Sequence, residues 1–117
     1  MTSTVLTRQW VSVCAYDDLL PERGVAALVG HVQVAVVRTY DGAVYALDNR
    51  DPFSGAYVLS RGIVGSRGDV PTLAAPLFKQ VFDLRTGECL SDPGVRVRTY
   101  PVTIADGRVL LAVGEDM

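Results

Sequence analysis

Short stretches in which apolar and polar residues alternate dominate this chain, and that alternation is typical of half-buried β-strands. Gln9 to Ala15 alternates in this way, and a helical turn or loop is predicted between Tyr16 and Pro21. Two Val-rich runs follow, from Gly24 to Val29 and from Val32 to Tyr40, and Gly30-His31 between them predicts a turn. Together with the apolar run after Asp41-Gly42, these runs predict an antiparallel β-meander through residues 24–48.

Two Asp-Gly dipeptides predict tight hairpins, because a type I′ turn needs positive φ at both central residues and Asp-Gly accommodates it. Asp41-Gly42 and Asp106-Gly107 both lie between apolar runs. Arg85-Thr86-Gly87 is a third hairpin signal, a three-residue loop with Gly at the left-handed position. Each of these turns is predicted to join two antiparallel strands.

The regular pattern breaks down between Asn49 and Pro76, where Gly and Pro are frequent. Further short strands are predicted at Gly62–Gly65, Val70–Ala74, Lys79–Leu84, Glu88–Leu90, Val95–Tyr100, Val102–Ile104 and Arg108–Val113. The sequence thus predicts an all-β domain of about ten short strands with its core at about residues 8–113.

Composition narrows the class of protein. At 117 residues, 49% hydrophobic and 21% charged, the chain fits one globular domain. The net charge is −2 and the 11 basic residues are scattered among 13 acidic ones, so no basic face for nucleic acid is predicted. A signal peptide and an apolar run of about 18 residues are both missing, which argues against a membrane protein and makes the cytoplasm the expected location.

Candidate catalytic and metal-binding groups are scarce. The chain has one histidine, His31, and two cysteines, Cys14 and Cys89, with no Cys-x-His or Cys-x-x-His pair. Nucleophilic catalysis needs a base beside the nucleophile, and an isolated histidine on a predicted turn does not provide one. Asp48 and Asp51 are more typical of capping or solvated acids than of an acid/base pair. No active site is predicted in this chain.

Two stretches nevertheless resemble the cluster-binding loops of Rieske iron–sulfur domains. Asp51-Pro52-Phe53-Ser54-Gly55-Ala56 follows C-P-H-x-G-A, and Ala75 to Gly87 follows C-P-x-H-G-x-x-F-D-x-x-T-G. The ligand positions carry Asp51, Phe53, Ala75 and Phe78, which cannot supply two cysteines and two histidines. The resemblance implies a Rieske-like antiparallel β-sandwich or barrel with a small loop-rich subdomain at about residues 49–79, and no cluster.

Taken together, the two loops and the residues between them resemble the small subunits of assimilatory NAD(P)H-dependent nitrite reductases. That resemblance implies an accessory, non-redox subunit without its own cofactor. Its partner would be a large catalytic subunit with flavin, siroheme, an iron–sulfur cluster and the NAD(P)H site. The alternative is a cluster-free Rieske-type interaction module of another oxidoreductase or oxygenase. A working ferredoxin is a third possibility, which visible absorption by iron–thiolate bonds would reveal.

The role of the two phenylalanines stays open at this point. Phe53 and Phe78 either fill the space of a cluster and lock the loops together, or present an apolar anchor to another protein. The second option predicts a docking surface at the tip of the two loops, with the candidate residues Pro52, Phe53, Arg61, Pro76, Leu77 and Lys79.

Overall fold

A computed structural model describes residues 9–113, and in that range the chain forms ten β-strands and two short 3-10 helices. The strands are β1 (Gln9–Ala15), β2 (Arg23–Val29), β3 (Val32–Arg38), β4 (Val44–Asp48), β5 (Ile63–Arg67), β6 (Val70–Ala74), β7 (Val81–Asp83), β8 (Thr99–Tyr100), β9 (Val102–Ala105) and β10 (Arg108–Val113). The 3-10 helices are Tyr16–Asp18 and Leu59–Arg61. No helix among these residues is long and apolar enough to span a membrane.

The strands form three sheets in which all paired neighbours are antiparallel. The first sheet has the order β1-β10-β9, the second β2-β3-β4-β8, and the third β5-β6-β7. The third sheet includes most of the segment between the two Rieske-like loops. The all-β class and the predicted number of strands are therefore confirmed.

Strand β3 contributes to two hydrophobic cores, because its alternating side chains point to opposite faces of the second sheet. Val34 and Val36 belong to a core shared with the first sheet. Ala35 and Val37 belong to a core shared with the third sheet and the loops. This four-residue run is fully apolar and buried, as expected for a strand covered on both faces.

The two Asp-Gly dipeptides adopt different turns. Asp106 and Gly107 have φ values of 52° and 74°, as a type I′ turn requires, and the predicted hairpin between β9 and β10 is confirmed. At the other turn Gly42 has φ 92° but Asp41 is not in the positive-φ region, so the type I′ conformation was wrong there, although the predicted hairpin between β3 and β4 is confirmed. The Asp41 carboxyl accepts hydrogen bonds from the Thr39 hydroxyl and, at 3.3 Å, from the Ala43 N–H. These local bonds favour a longer loop between β3 and β4.

Three predicted strands are shorter than the alternation indicated. The strand expected at Lys79–Leu84 is reduced to Val81–Asp83, because Lys79 has φ 58° and cannot continue a strand. Val95–Tyr100 contains only Thr99–Tyr100 as a strand, and Glu88–Leu90 makes isolated bridges. Strand β7 pairs with three residues of β6, whereas Thr99–Tyr100 pairs with only two residues of β4.

The histidine and the two cysteines lie apart from the loops or away from solvent. His31 is exposed in the turn between β2 and β3. Cys89 is buried and Cys14 partly buried, and both are free thiols. Burial raises the pKa of Cys14, which opposes formation of a reactive thiolate.

Candidate functional site: the tip of two loops

Asp51 organises the first loop from within. Its side chain is fully buried, and its carboxyl accepts hydrogen bonds from the Phe53 N–H at 2.9 Å and the Ser54 hydroxyl at 3.1 Å. The Ser54 oxygen accepts in turn from the Ala56 N–H at 3.1 Å. Two backbone bonds of 2.8 Å, Asp51 N–H to Ala56 and Gly55 N–H to Asp51, close the loop. Of the two roles expected for Asp51, solvated or capping, the structure shows the capping one.

Glycine at position 55 is required by the backbone of this loop. Gly55 has φ 77°, a conformation that most side chains avoid. A Cβ built there would also lie 3.4 Å from Nη2 of Arg50, whose side chain extends over the loop. The retained Gly of the Rieske-like pattern therefore preserves the loop conformation.

Phe53 packs inward, whereas Phe78 does not. Phe53 is half-buried against the core that contains Ala75 and Phe82, and its ring centroid lies 6.2 Å from that of Phe82 at an angle of 52°. Phe78 is 60% exposed, so the hypothesis that it fills the space of a cluster was wrong. The chain thus uses one phenylalanine for packing and leaves the other on the surface.

The second loop presents two adjacent apolar side chains to solvent. Leu77 is 55% exposed and neighbours the equally open Phe78. A hydrogen bond of 2.8 Å from the Ala75 N–H to the Gln80 carbonyl closes the base of the loop. Lys79 adopts φ 58°, which is uncommon for a residue with a side chain. The loop is therefore a closed turn with an apolar apex.

The end of the second Rieske-like stretch is held by a buried acid. The Asp83 carboxyl accepts from the Arg85 backbone N–H at 2.8 Å and forms an ion pair of 3.1 Å with the Arg85 side chain. Burial opposes ionisation of Asp83, but the bonds from Arg85 outweigh it and hold the pKa of this carboxyl below its ordinary value. At Gly87 (φ 80°) a Cβ would approach the Val97 carbonyl oxygen to 2.1 Å. Asp83 and Gly87 therefore serve the fold.

The remaining predicted site residues lie around this tip. Pro52 and Pro76 are half-buried, and Arg61 and Lys79 are exposed. Arg61 ends the 3-10 helix, and the next residue, Gly62, is packed so closely that a Cβ there would lie 2.5 Å from the Ala74 carbonyl oxygen. Arg61 is thereby placed beside the start of the second loop.

Sequence reasoning missed Asn49, which connects the first loop to the helix that follows. Asn49 is buried, its Nδ2 donates to the Tyr57 carbonyl at 3.1 Å, and its Oδ1 accepts from the Ser60 N–H at 2.7 Å. An Asn at the junction of a strand and a loop usually forms a hydrogen bond with the backbone of nearby residues. The sequence carried no signal for a partner eleven residues away.

The residues at the tip do not fit a [2Fe-2S] cluster. Ala75 and Phe53 have no donor atom, Phe78 points to solvent, and both oxygens of Asp51 are bound to its own loop. Within residues 9–113, His, Cys, Asp and Glu side chains nowhere form a group of three that would hold a metal. The two loops keep both proline residues of the Rieske-like pattern but not its ligands.

Comparison with known proteins places this geometry in a family. Residues 9–112 match the family described as the Rieske-like [2Fe-2S] domain. The NADH nitrite reductase small subunit of Escherichia coli K12 is 43% identical over 104 residues, which cover 88% of this chain and 96% of that one. The chain belongs to the nitrite reductase small-subunit family. The structure is also similar to that of the E. coli protein NirD, with a TM-score of 0.85 at 42% identity, over 93% of this chain and 100% of that one.

A domain similar to this small-subunit chain also occurs inside a longer polypeptide. The NAD(P)H nitrite reductase large subunit of Klebsiella oxytoca is 40% identical over 103 residues, which cover 88% of this chain but 11% of that protein. The Rieske-like unit is therefore found both as a small subunit and as part of a large one.

Proposed function

We propose that this chain is the non-redox accessory subunit of a cytoplasmic, assimilatory NAD(P)H nitrite reductase, and that it acts by binding the large catalytic subunit. Flavin, siroheme, the iron–sulfur cluster and the NAD(P)H site then belong to the large subunit, which reduces nitrite to ammonium. The observation that carries the proposal is the state of the four ligand positions. Asp51 caps the first loop, Phe53 and Ala75 pack in the core, and Phe78 is exposed, so these four positions carry no complete set of ligand atoms.

The proposed contact surface is the tip of the two loops, with Pro52, Phe53, Arg61, Pro76, Leu77 and Lys79. Its apex is apolar and exposed, and the loop that carries it is closed by a hydrogen bond. A rigid apolar apex loses little conformational entropy on binding, which favours its use as an anchor. In this proposal Phe53 supports the surface from below, and Leu77 and Phe78 make the contact.

Kinetic reconstitution tests the proposed function. Nitrite-dependent NAD(P)H oxidation by the purified large subunit is measured with and without this chain, and complex formation is followed by size-exclusion chromatography. We expect a stable complex that contains siroheme and a higher rate of NAD(P)H oxidation. Absence of both a complex and a change in rate would overturn the proposal.

A further inference from the structure

The exposed charges of residues 49–62 and 75–80, which include the first loop and the apex of the second, are all positive, although the chain as a whole is slightly acidic. In residues 49–62 and 75–80 the basic side chains are Arg50, Arg61 and Lys79, and all three are exposed. The single acid in these stretches, Asp51, is fully buried and bound within its own loop. Since the net charge of the chain is −2, the acids that outnumber the bases lie outside these two loops.

Lys79 adjoins the apolar apex in the chain, and Arg50 and Arg61 lie just before and after the first loop. Lys79 directly follows Phe78, and its positive φ fixes the direction in which the chain leaves the apex. Arg61 lies beside the start of the same loop, where Gly62 packs against Ala74. Arg50 extends over Gly55 in the first loop. An apolar centre with a charged border is the usual anatomy of a protein-binding surface.

We propose that this tip fits a surface of the nitrite reductase large subunit that consists of an apolar pocket bordered by carboxylates. Leu77 and Phe78 occupy the pocket, and Arg50, Arg61 and Lys79 face the acids. This inference rests on the proposed function and adds the chemistry of the partner surface. The apolar anchor supplies most of the affinity, whereas the exposed charges accelerate and orient the encounter.

Binding of the full chain to the cofactor-loaded large subunit at different salt concentrations tests the electrostatic part. Screening weakens attraction between exposed charges, so we expect the Kd to rise about tenfold between roughly 50 and 300 mM NaCl. Arg61→Glu is expected to raise the Kd about fivefold at low salt, mainly through a slower association rate, and to reduce the dependence on salt.

Arg67→Glu is the matched control for this variant. Arg61 lies two residues before β5 and Arg67 is its last residue, both are exposed, and each substitution changes the charge by the same amount. The control is expected to bind as the unmodified chain does. Equal effects of both variants, or a Kd independent of salt, would overturn the proposed acidic border.

The apolar part is tested with Leu77→Asp, for which Leu28→Asp is the control. Leu28 is 70% exposed and lies at the end of β2. We expect Leu77→Asp to weaken binding more than about fiftyfold and Leu28→Asp to leave it unchanged. If Leu77→Asp weakens binding while salt and Arg61→Glu have no effect, the docking proposal stands and the acidic border is wrong. If no complex forms with the unmodified chain, the proposed function itself fails.

Discussion

A single carboxyl holds the first loop in the conformation that the family pattern prescribes. The hydrogen bonds of Asp51 run to residues two and three positions further along the chain, so they are local and need no second loop. The Asp51 position thus changes from a proposed metal ligand in the Rieske pattern to an internal cap. Of the other three ligand positions, Phe53 and Ala75 pack in the core and Phe78 is exposed on the surface.

Replacement of Asp51 is predicted to destabilise the fold. Asp51→Ala leaves the Phe53 N–H and the Ser54 hydroxyl without their buried acceptor, which costs about 2 to 3 kcal/mol of unfolding free energy. Asp51→Asn keeps an acceptor oxygen and should cost less. Chemical denaturation monitored by circular dichroism measures both changes. Unchanged stability of Asp51→Ala would show that the loop does not depend on this carboxyl.

The two phenylalanines should differ sharply in their effect on stability. Phe53→Ala removes a ring packed on Phe82 and is expected to cost about 2 kcal/mol, less than for a fully buried ring. Phe78→Ala removes an exposed ring and is expected to change the unfolding free energy by less than about 0.5 kcal/mol. Thermal and denaturant unfolding of the isolated chain separate the two cases. Equal losses would contradict the assignment of Phe53 to packing.

The sequence could not distinguish these two residues in advance. Inside a strand the alternation of side chains assigns each position to a face, but Phe53 and Phe78 lie in loops where that rule does not apply. Asp51 was easier to assign, because a capping bond is made to neighbours in the sequence. The part of the site that could be predicted is the part formed by local interactions.

Among the elements, the two Asp-Gly turns show how side chains select a turn type. The dipeptide permits a type I′ turn in both cases, yet the chain around Asp41 takes another loop because Thr39 and Ala43 bind its carboxyl. Similarly, the strand predicted at Val95–Tyr100 forms only at Thr99–Tyr100, because strand length is decided by partners that the sequence does not show. The positions of most strands followed from alternation and turn residues.

Alanine substitutions at Gly42 and Gly107 should show that the two turns have different surroundings. Both Gly42 and Gly107 have positive φ, so each change to Ala costs about 1 kcal/mol in strain. At Gly42 the new Cβ would also meet the Tyr16 hydroxyl at 2.9 Å, while at Gly107 no atom lies within 4 Å. Gly42→Ala is therefore expected to be the more destabilising in denaturant unfolding. The reverse order would contradict the close approach of Tyr16.

For the whole molecule, the lowered pKa of Asp83 predicts sensitivity to acid. Asp83 has a pKa of about 4 in the unfolded chain and a lower pKa in the folded chain. At a pH between these two values the unfolded chain is protonated at Asp83 and the folded chain is not, so protonation favours unfolding. The stabilisation contributed by Asp83 is therefore present above about pH 4 and is lost as the pH falls through the pKa of the folded state. Denaturation from pH 7 to pH 3 should show a smaller loss for Asp83→Asn. An identical pH dependence would exclude a contribution from Asp83.

The whole chain is also predicted not to assemble a cluster. Anaerobic incubation with ferrous iron and sulfide, followed by desalting, should yield protein without visible absorption and without stoichiometric iron, since the tip offers no set of thiolates and imidazoles. Iron analysis and absorption spectroscopy measure this outcome. Retention of two irons per chain would contradict both the loop assignment and the proposed function.

Strand β3 has a consequence for how the molecule comes apart. Its four consecutive buried residues, Val34 to Val37, alternate between the two hydrophobic cores, so neither core can melt without exposing the strand that completes the other. Unfolding should therefore be cooperative, with a single transition by all probes. The loops that carry the tip and the sheets behind them form one thermodynamic unit, so a destabilising substitution in either part lowers the unfolding free energy of the whole domain.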